Sequence, residues 1–219
     1  ITVRLVGSEM CIRDRVIVDI LSAMGANRII TMDLHSTQIQ GFAKIPFDNL
    51  YSRKIFYSVI KNNNFNPEKT VVLAPDIGSA KMSQSYAKTL GMHFALIEKR
   101  RFAPNQAEVN HLIGNLDSLD VLIIDDMVDT AGTTVSAADA AIAKGANSVT
   151  VVATHGVLSG PAIQRLNESV IDKLIVTDTI LIPEEKQIEK IETVSAAGLF
   201  AEAISRVHDG ESLSALFEF

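Results

Sequence analysis

The sequence predicts an α/β protein with a mostly parallel sheet and helices on both of its faces. Three observations carry this expectation. Short β-branched apolar runs alternate along the 219 residues with Ala-rich segments of helical period. The runs are near-continuously apolar, as strands covered on both faces are. Finally, "GANRIITMDLH" (Gly25 to His35) and "GANSVTVVATH" (Gly145 to His155) repeat Gly-Ala-Asn, a β run and a His. Their separation of 120 residues is about the length of one small α/β domain.

Taken in order, the expected strands are "RIITMDL", "TVVLAP", "HFALIEK", "VLIIDD", "SVTVVAT" and "KLIVTDT", each bounded by turn residues. Between them lie the helices "SAKMSQSYAKTLG" and "TTVSAADAAIAKG". Each opens on Ser or Thr, which cap orphan N–H groups, and closes on Gly, which takes up the left-handed conformation past a helix end. "LFAEAISRVHDG" reads as a last helix before "ESLSALF". The repeat also predicts a copy of "VLIIDD" near Ile1 to Val6, and none stands there. The first domain is therefore expected to be incomplete at its front.

Composition narrows the function classes. A net charge of -6 argues against a nucleic-acid surface. The lone cysteine, Cys11, excludes an internal disulfide and fits a cytoplasmic location. No apolar run approaches the roughly 18–20 residues of a membrane-spanning helix, and charges interrupt the first fifteen residues, unlike a secretory signal. The expectation is a soluble cytoplasmic protein with no membrane and no nucleic-acid partner.

The chemistry concentrates in "VLIIDDMVDTAGTT" (Val121 to Thr134), a strand, two adjacent carboxylates, a third, and a small-residue loop leading into a helix. In open α/β sheets ligands sit beyond the carboxyl ends of strands. A helix start offers unpaired N–H groups and the positive end of its dipole to a phosphate. Asp129, Thr130, Ala131, Gly132, Thr133 and Thr134 would wrap that phosphate, with Gly132 admitting close approach and the threonines adding hydroxyls. Asp125 and Asp126 would accept hydrogen bonds from vicinal hydroxyls or hold a divalent cation. Phosphate at one end and diol at the other describe a phosphorylated pentose. No G-x-x-x-x-G-K-[ST] segment exists, so a Walker loop does not handle any nucleotide.

That stretch resembles the ribose-phosphate signature of phosphoribosyltransferase-fold proteins. Its company, "TMDLHSTQIQGF", "IPFDNLY", "APDIGSAK", "EKRR", "THGVLSGPAI" and "HDGESLSALF", is similar to the ribose-phosphate pyrophosphokinase family over roughly Val18 to Phe217. The resemblance implies tandem phosphoribosyltransferase-like domains with mostly parallel sheets, the first one incomplete. It implies transfer of the β,γ-diphosphoryl group of Mg-ATP to the 1-hydroxyl of ribose 5-phosphate. It assigns catalysis to Lys99 and Arg101 of "EKRR", on a loop after the strand "HFALI". A charge run of this kind is otherwise a solvated face. It assigns Mg²⁺ to His35 and Asp76, of which a lone strand-end histidine is otherwise more often structural. Ser79 stands where the family usually has a second glycine. His155, the repeat mate of His35, reads as structural. Gln40, Asp48, Asn49, Ser212 and Ser214 resemble the family's regulatory site between subunits, and the family's assembly implies a homo-oligomer, a hexamer when intact.

The expected organisation is a leader at 1–15 that is foreign to the family, a remnant of the first domain at 16–52, and the second domain at 53–206. A segment at 207–219 is expected to pack back on the first domain. The family's adenine-binding elements should precede Val18 and are not in the sequence, so the chain is expected to lack about ninety residues at its front. Two other readings stay open: a nucleobase phosphoribosyltransferase, and a non-catalytic regulatory homologue.

Overall fold

The computed structural model describes residues 6–63, 65–100 and 109–217, with side chains described over 12–63, 65–97 and 111–217. The described residues form two compact units, one made of those up to Ser52 and from Ser205 onward, the other of Arg53–Ile204.

The smaller unit contains α1 (Val6–Ala23), β1 (Ile29–Met32), a 3-10 helix at Thr37–Phe42 and β2 (Phe47–Leu50). β1 and β2 pair in parallel, with Ile29 opposite Phe47 and Met32 opposite Leu50. Ile12, Val16, Ile17, Ile20 and Leu21, spaced as one stripe of α1, are all exposed, as is Met24 just past its end. Near the end of the chain the Phe217 ring meets Tyr51 edge-on, with centroids 6.0 Å apart.

The larger unit is a seven-stranded sheet. Its strands are β3 (Thr70–Ala74), β4 (His93–Arg100), β5 (Val109–Ile113), β6 (Asp120–Val128), β7 (Ser148–Gly156), β8 (Lys173–Thr177) and β9 (Ile191–Val194). They lie in the order β5-β4-β3-β6-β7-β8-β9, and only the β4–β5 pair is antiparallel. The helices are α2 (Arg53–Asn62), α3 (Ala80–Leu90), α4 (Gly132–Ala143), α5 (Ala162–Glu168) and α6 (Ala197–His208), whose residues from Ser205 onward belong to the smaller unit.

Period-two alternation splits the core between the two faces of the sheet. Val71, Leu73, Val121, Ile123, Val151 and Leu174 pack with Ala137, Ala138 and Ala141 of α4 and Leu166 of α5. Val72, Leu122, Ile124, Val152 and Ile175 pack on the other side with Phe56 and Ile60 of α2 and Tyr86 and Ala87 of α3. These strand residues are 0–1% exposed, as the near-continuous apolar runs require. The Ala-rich face of α4 lets that helix lie close to the sheet.

Two expectations are corrected here. Glu98, Lys99 and Arg100 of "EKRR" do not leave the strand after "HFALI", and Arg101 lies outside the described residues. β4 continues to Arg100, with Glu98 opposite His111 and Lys99 opposite Asn110 of β5. Nor do hydroxyl caps open the helices. Ser79 precedes α3 in a right-handed conformation without a capping bond, and α4 is preceded by Ala131 in the left-handed region at φ 60°. The glycine ends are as expected, with Gly91 at φ 67° closing α3 and Gly145 at φ 90° following α4.

The connection from β8 to β9 has only a short 3-10 turn at Glu184–Lys186. Ile182, 7% exposed, anchors it in the core. The Lys190 ammonium donates to the carbonyls of Leu166, Asn167 and Ser169 at 3.0, 3.3 and 2.8 Å. One cation thus satisfies the carbonyl end of α5. Lys186 Nζ donates to Leu158 O at 2.9 Å. Among the described residues no helix is long and apolar enough to cross a membrane.

Candidate functional site

From β3 the chain passes to β4 on one side, and β6 returns on the other. The carboxyl ends of β3 and β6 therefore flank a topological switch point, the place where open α/β sheets bind ligands. Asp76 lies two residues beyond β3, and Asp125 and Asp126 stand near the end of β6.

Asp76 is held by its own turn. Its Oδ1 accepts the Ser79 N–H at 2.9 Å and the Ser79 hydroxyl at 3.2 Å. A side chain on Gly78 would put Cβ 3.2 Å from that same oxygen, so the glycine keeps the turn open. Ser79, the departure from the family pattern, here orients the carboxylate. Asp125 Oδ1 accepts the Asp126 N–H at 2.9 Å. Burial pushes the Asp125 carboxyl up from 3.8 to about 7, and the neighbouring Asp126 and, more weakly, Asp76 add to the rise. These three acids therefore share one electrostatic environment. Crowded carboxylates of this kind are stabilised by a cation or by hydroxyl donors.

The loop after β6 runs through Asp129 and Thr130, both exposed, and Ala131, 3% exposed, into α4. The first bond of that helix is Val135 N–H to Ala131 O at 3.0 Å, so the N–H groups of Gly132, Thr133 and Thr134 precede it. Thr133 is exposed, whereas Thr134 is buried at 3%. The loop is held from outside by the segment after β7. Leu158 N–H donates to Val128 O at 3.1 Å and Ser159 N–H to Asp129 O at 3.0 Å. The Ser159 hydroxyl donates to the Asp129 carboxylate, and Arg165 Nη1 donates to Thr130 O at 2.9 Å. A Cβ on Gly132 would lie 3.2 Å from Arg165 Nη1, so the guanidinium packs tightly against the glycine. An open cleft of about 600 Å³ runs along the outer side of α4, lined by Gly132, Val135, Ser136, Asp139 and Arg165 among others. It lies behind the loop, not over the acids.

Lys99 is in β4 opposite Asn110, its side chain outside the described residues, and Arg101 lies outside them altogether. In the smaller unit, His35 follows β1. Asp48 pairs with Arg28 at 2.6 Å, Gln40 donates to Thr37 O at 3.2 Å, and Asn49 Oδ1 accepts from Thr31 Oγ1 and Leu34 N–H, both at 3.1 Å. The Ser212 hydroxyl donates to Ser214 Oγ at 2.9 Å. His155 shares a 2.8 Å hydrogen bond with Thr179. Among the described residues no group of three His, Cys, Asp or Glu side chains is disposed to hold a metal ion. Ser159 and Arg165 were given no role by sequence reasoning, although both fall in or just after "THGVLSGPAI". Nothing in that stretch announces a partner about thirty residues upstream.

A parallel sheet with crowded acids at its switch point and a loop running into a helix start defines a protein of phosphoribosyltransferase type. A family model for the phosphoribosyl synthetase-associated domain matches residues 100–218. The ribose-phosphate pyrophosphokinase of Chlorobaculum tepidum is 46% identical over 210 residues, 96% of this chain and 64% of that protein. That of Helicobacter hepaticus is 42% identical over 215 residues, 98% of this chain and 68% of its own length. The crystal structure of phosphoribosylpyrophosphate synthetase from Mycobacterium smegmatis is 36% identical with a TM-score of 0.83, covering 91% of this chain and 64% of that one. The chain belongs to the ribose-phosphate pyrophosphokinase family, and it spans about 64% of the length of the first of these relatives.

Proposed function

We propose that the protein is a ribose-phosphate diphosphokinase, making 5-phosphoribosyl 1-diphosphate and AMP from Mg-ATP and ribose 5-phosphate. The observation that carries this is the meeting of crowded acids with a phosphate loop at one switch point, where Asp125 feels both Asp126 and Asp76. The names of the relatives support it. Asp125 and Asp126 accept the ribose hydroxyls, and Asp129 to Thr134 take the 5-phosphate. The 1-hydroxyl oxygen forms a bond to the β-phosphorus as the bond between that phosphorus and the α-bridging oxygen breaks. AMP leaves, and the hydroxyl proton is released. Lys99 and Arg101 neutralise the negative charge on the group in transfer.

A divalent cation beside Asp125 and Asp126 would offset the burial and, secondarily, the like charge that raise Asp125. Mg²⁺ neutralises phosphoryl charge when bound, and Asp76 and His35 are each assigned to it by the family resemblance alone. Gln40, Asp48, Asn49, Ser212 and Ser214 belong in this reading to a regulatory anion site between subunits of a cytoplasmic homo-oligomer. The unit boundaries near Ser52 and Ser205 support tandem domains at 16–52 with 207–219, and at 53–206.

The test is AMP formation from Mg-ATP and ribose 5-phosphate, using this chain and a version extended at its front with a relative's residues. The extended version is expected to turn over and the 219-residue chain to be inert. In the active version Lys99→Ala should lower turnover about 10²–10³-fold while ribose 5-phosphate still binds. Unchanged turnover would reject the role of Lys99. Inactivity of both versions would favour a regulatory homologue, and base-dependent release of pyrophosphate a nucleobase phosphoribosyltransferase.

A further inference from the structure

We propose that Ser159 and Arg165 are positioning residues that pre-form the phosphate loop by tying its carbonyl groups from behind. The inference rests on the reading of Asp129 to Thr134 as a sugar-phosphate site. Three consecutive carbonyls, those of Val128, Asp129 and Thr130, are each taken by a donor from the segment between Leu158 and Arg165. Across a trans peptide the carbonyl of one residue and the N–H of the next point in opposite directions. Drawing the Asp129 and Thr130 carbonyls toward that segment therefore turns the N–H groups of Thr130 and Ala131 away from it. With Ala131 left-handed at φ 60° and ψ 5°, these N–H groups lead into those at the start of α4. Successive N–H groups in such a turn make a concave anion nest.

The side chains add what the backbone cannot. The Ser159 hydroxyl donates to the Asp129 carboxylate and turns it toward the β7 side of the loop, where it does not face an incoming phosphate. Arg165 seats its guanidinium beside Gly132, 3.2 Å from where a Cβ would stand, and so places a positive charge behind the nest. Ser159 and Arg165 sit on exposed ground, where single hydrogen bonds contribute only about 0.5–1.5 kcal/mol to stability. Their larger effect is on the geometry of a loop that must be in place before the ligand arrives. Lys186, donating to Leu158 O, holds the brace itself.

The experiment is calorimetric titration of the 219-residue chain with ribose 5-phosphate, alongside Arg165→Ala, Arg165→Lys, Ser159→Ala and Ser159→Thr, with a melting curve for each. Each alanine variant should bind about 5–30-fold more weakly, the weight of one lost hydrogen bond at a charged group. The lysine and threonine variants, which keep a donor, should recover to within about 3-fold of the parent. Melting temperatures should stay within about 4 °C of the parent, since exposed bonds are involved. Alanine variants that bind like the parent would overturn the inference and leave the site reading standing. So would equal loss in the alanine and conservative variants together with a large fall in melting temperature, which marks a purely structural role. A parent chain that does not bind ribose 5-phosphate would overturn both.

Discussion

Replacing Asp125 by Asn removes a carboxyl that the fold keeps uncharged well into the neutral range. Asn retains the Oδ1 that accepts the Asp126 N–H, so the local turn is preserved. The wild-type carboxyl titrates at about 7 when folded against 3.8 when unfolded, chiefly because burial disfavours its charge. A raised folded-state value means the associated stability is complete below 3.8, declines as the pH rises, and is gone above about 7. At about 1.4 kcal/mol per tenfold change, the full displacement sets a ceiling of ~4 kcal/mol. Partial contact with water reduces the expected effect to about 1–3 kcal/mol. Urea denaturation of both proteins from pH 4 to 8.5, without divalent cations, measures it. The Asn variant should match wild type near pH 4 and become progressively more stable, levelling off above pH 7.5. A gap that stays constant across this range, or a variant less stable at pH 8, would refute the reasoning. Adding Mg²⁺ at pH 8 should stabilise wild type more than the variant.

Three further outcomes rest on packing and backbone. Gly114→Ala places a Cβ 2.9 Å from Ala95 Cβ and 3.0 Å from Phe94 O at φ +109°. It should cost about 2–4 kcal/mol in a denaturant titration. Leu122→Ala in β6, where Leu122 is 0% exposed, should destabilise by about 2–5 kcal/mol and lower the melting temperature accordingly. Ser118 is exposed and left-handed at φ 58°, so Ser118→Gly should raise stability by about 0.5–1 kcal/mol in the same titration.

The central strands were legible because burial on both faces writes an unbroken apolar run. β5 and β9 left no such trace. They lie at the sheet's edges, where Asn110, His111 and Glu192 are tolerated and the apolar signal is diluted. The cap expectations failed for a local reason. The Ser79 hydroxyl is engaged with Asp76, and the turn into α4 needs a left-handed residue, a position a hydroxyl cap does not occupy. Asp125 to Thr134 could be proposed as a site from the sequence because the acids and the loop follow one another along the chain. Ser159 and Arg165 could not, since only the adjacency of β6 and β7 brings them to the loop. Nor does the sequence reveal the raised carboxyl of Asp125, which depends on how deeply β6 sits, on Asp126 and, more weakly, on Asp76 from the turn after β3.

The two amines of the β8–β9 connection fasten a long irregular strap through backbone carbonyls, in addition to its apolar anchor at Ile182. Lys190 spends all three of its protons on the end of α5, and Lys186 fastens the carbonyl of Leu158. Acylation of lysines neutralises both without touching a single apolar side chain. Such a chain would keep its sheet yet lose the fastening under Leu158, so chemical modification far from the acids would be felt at the loop from Asp129 to Thr134.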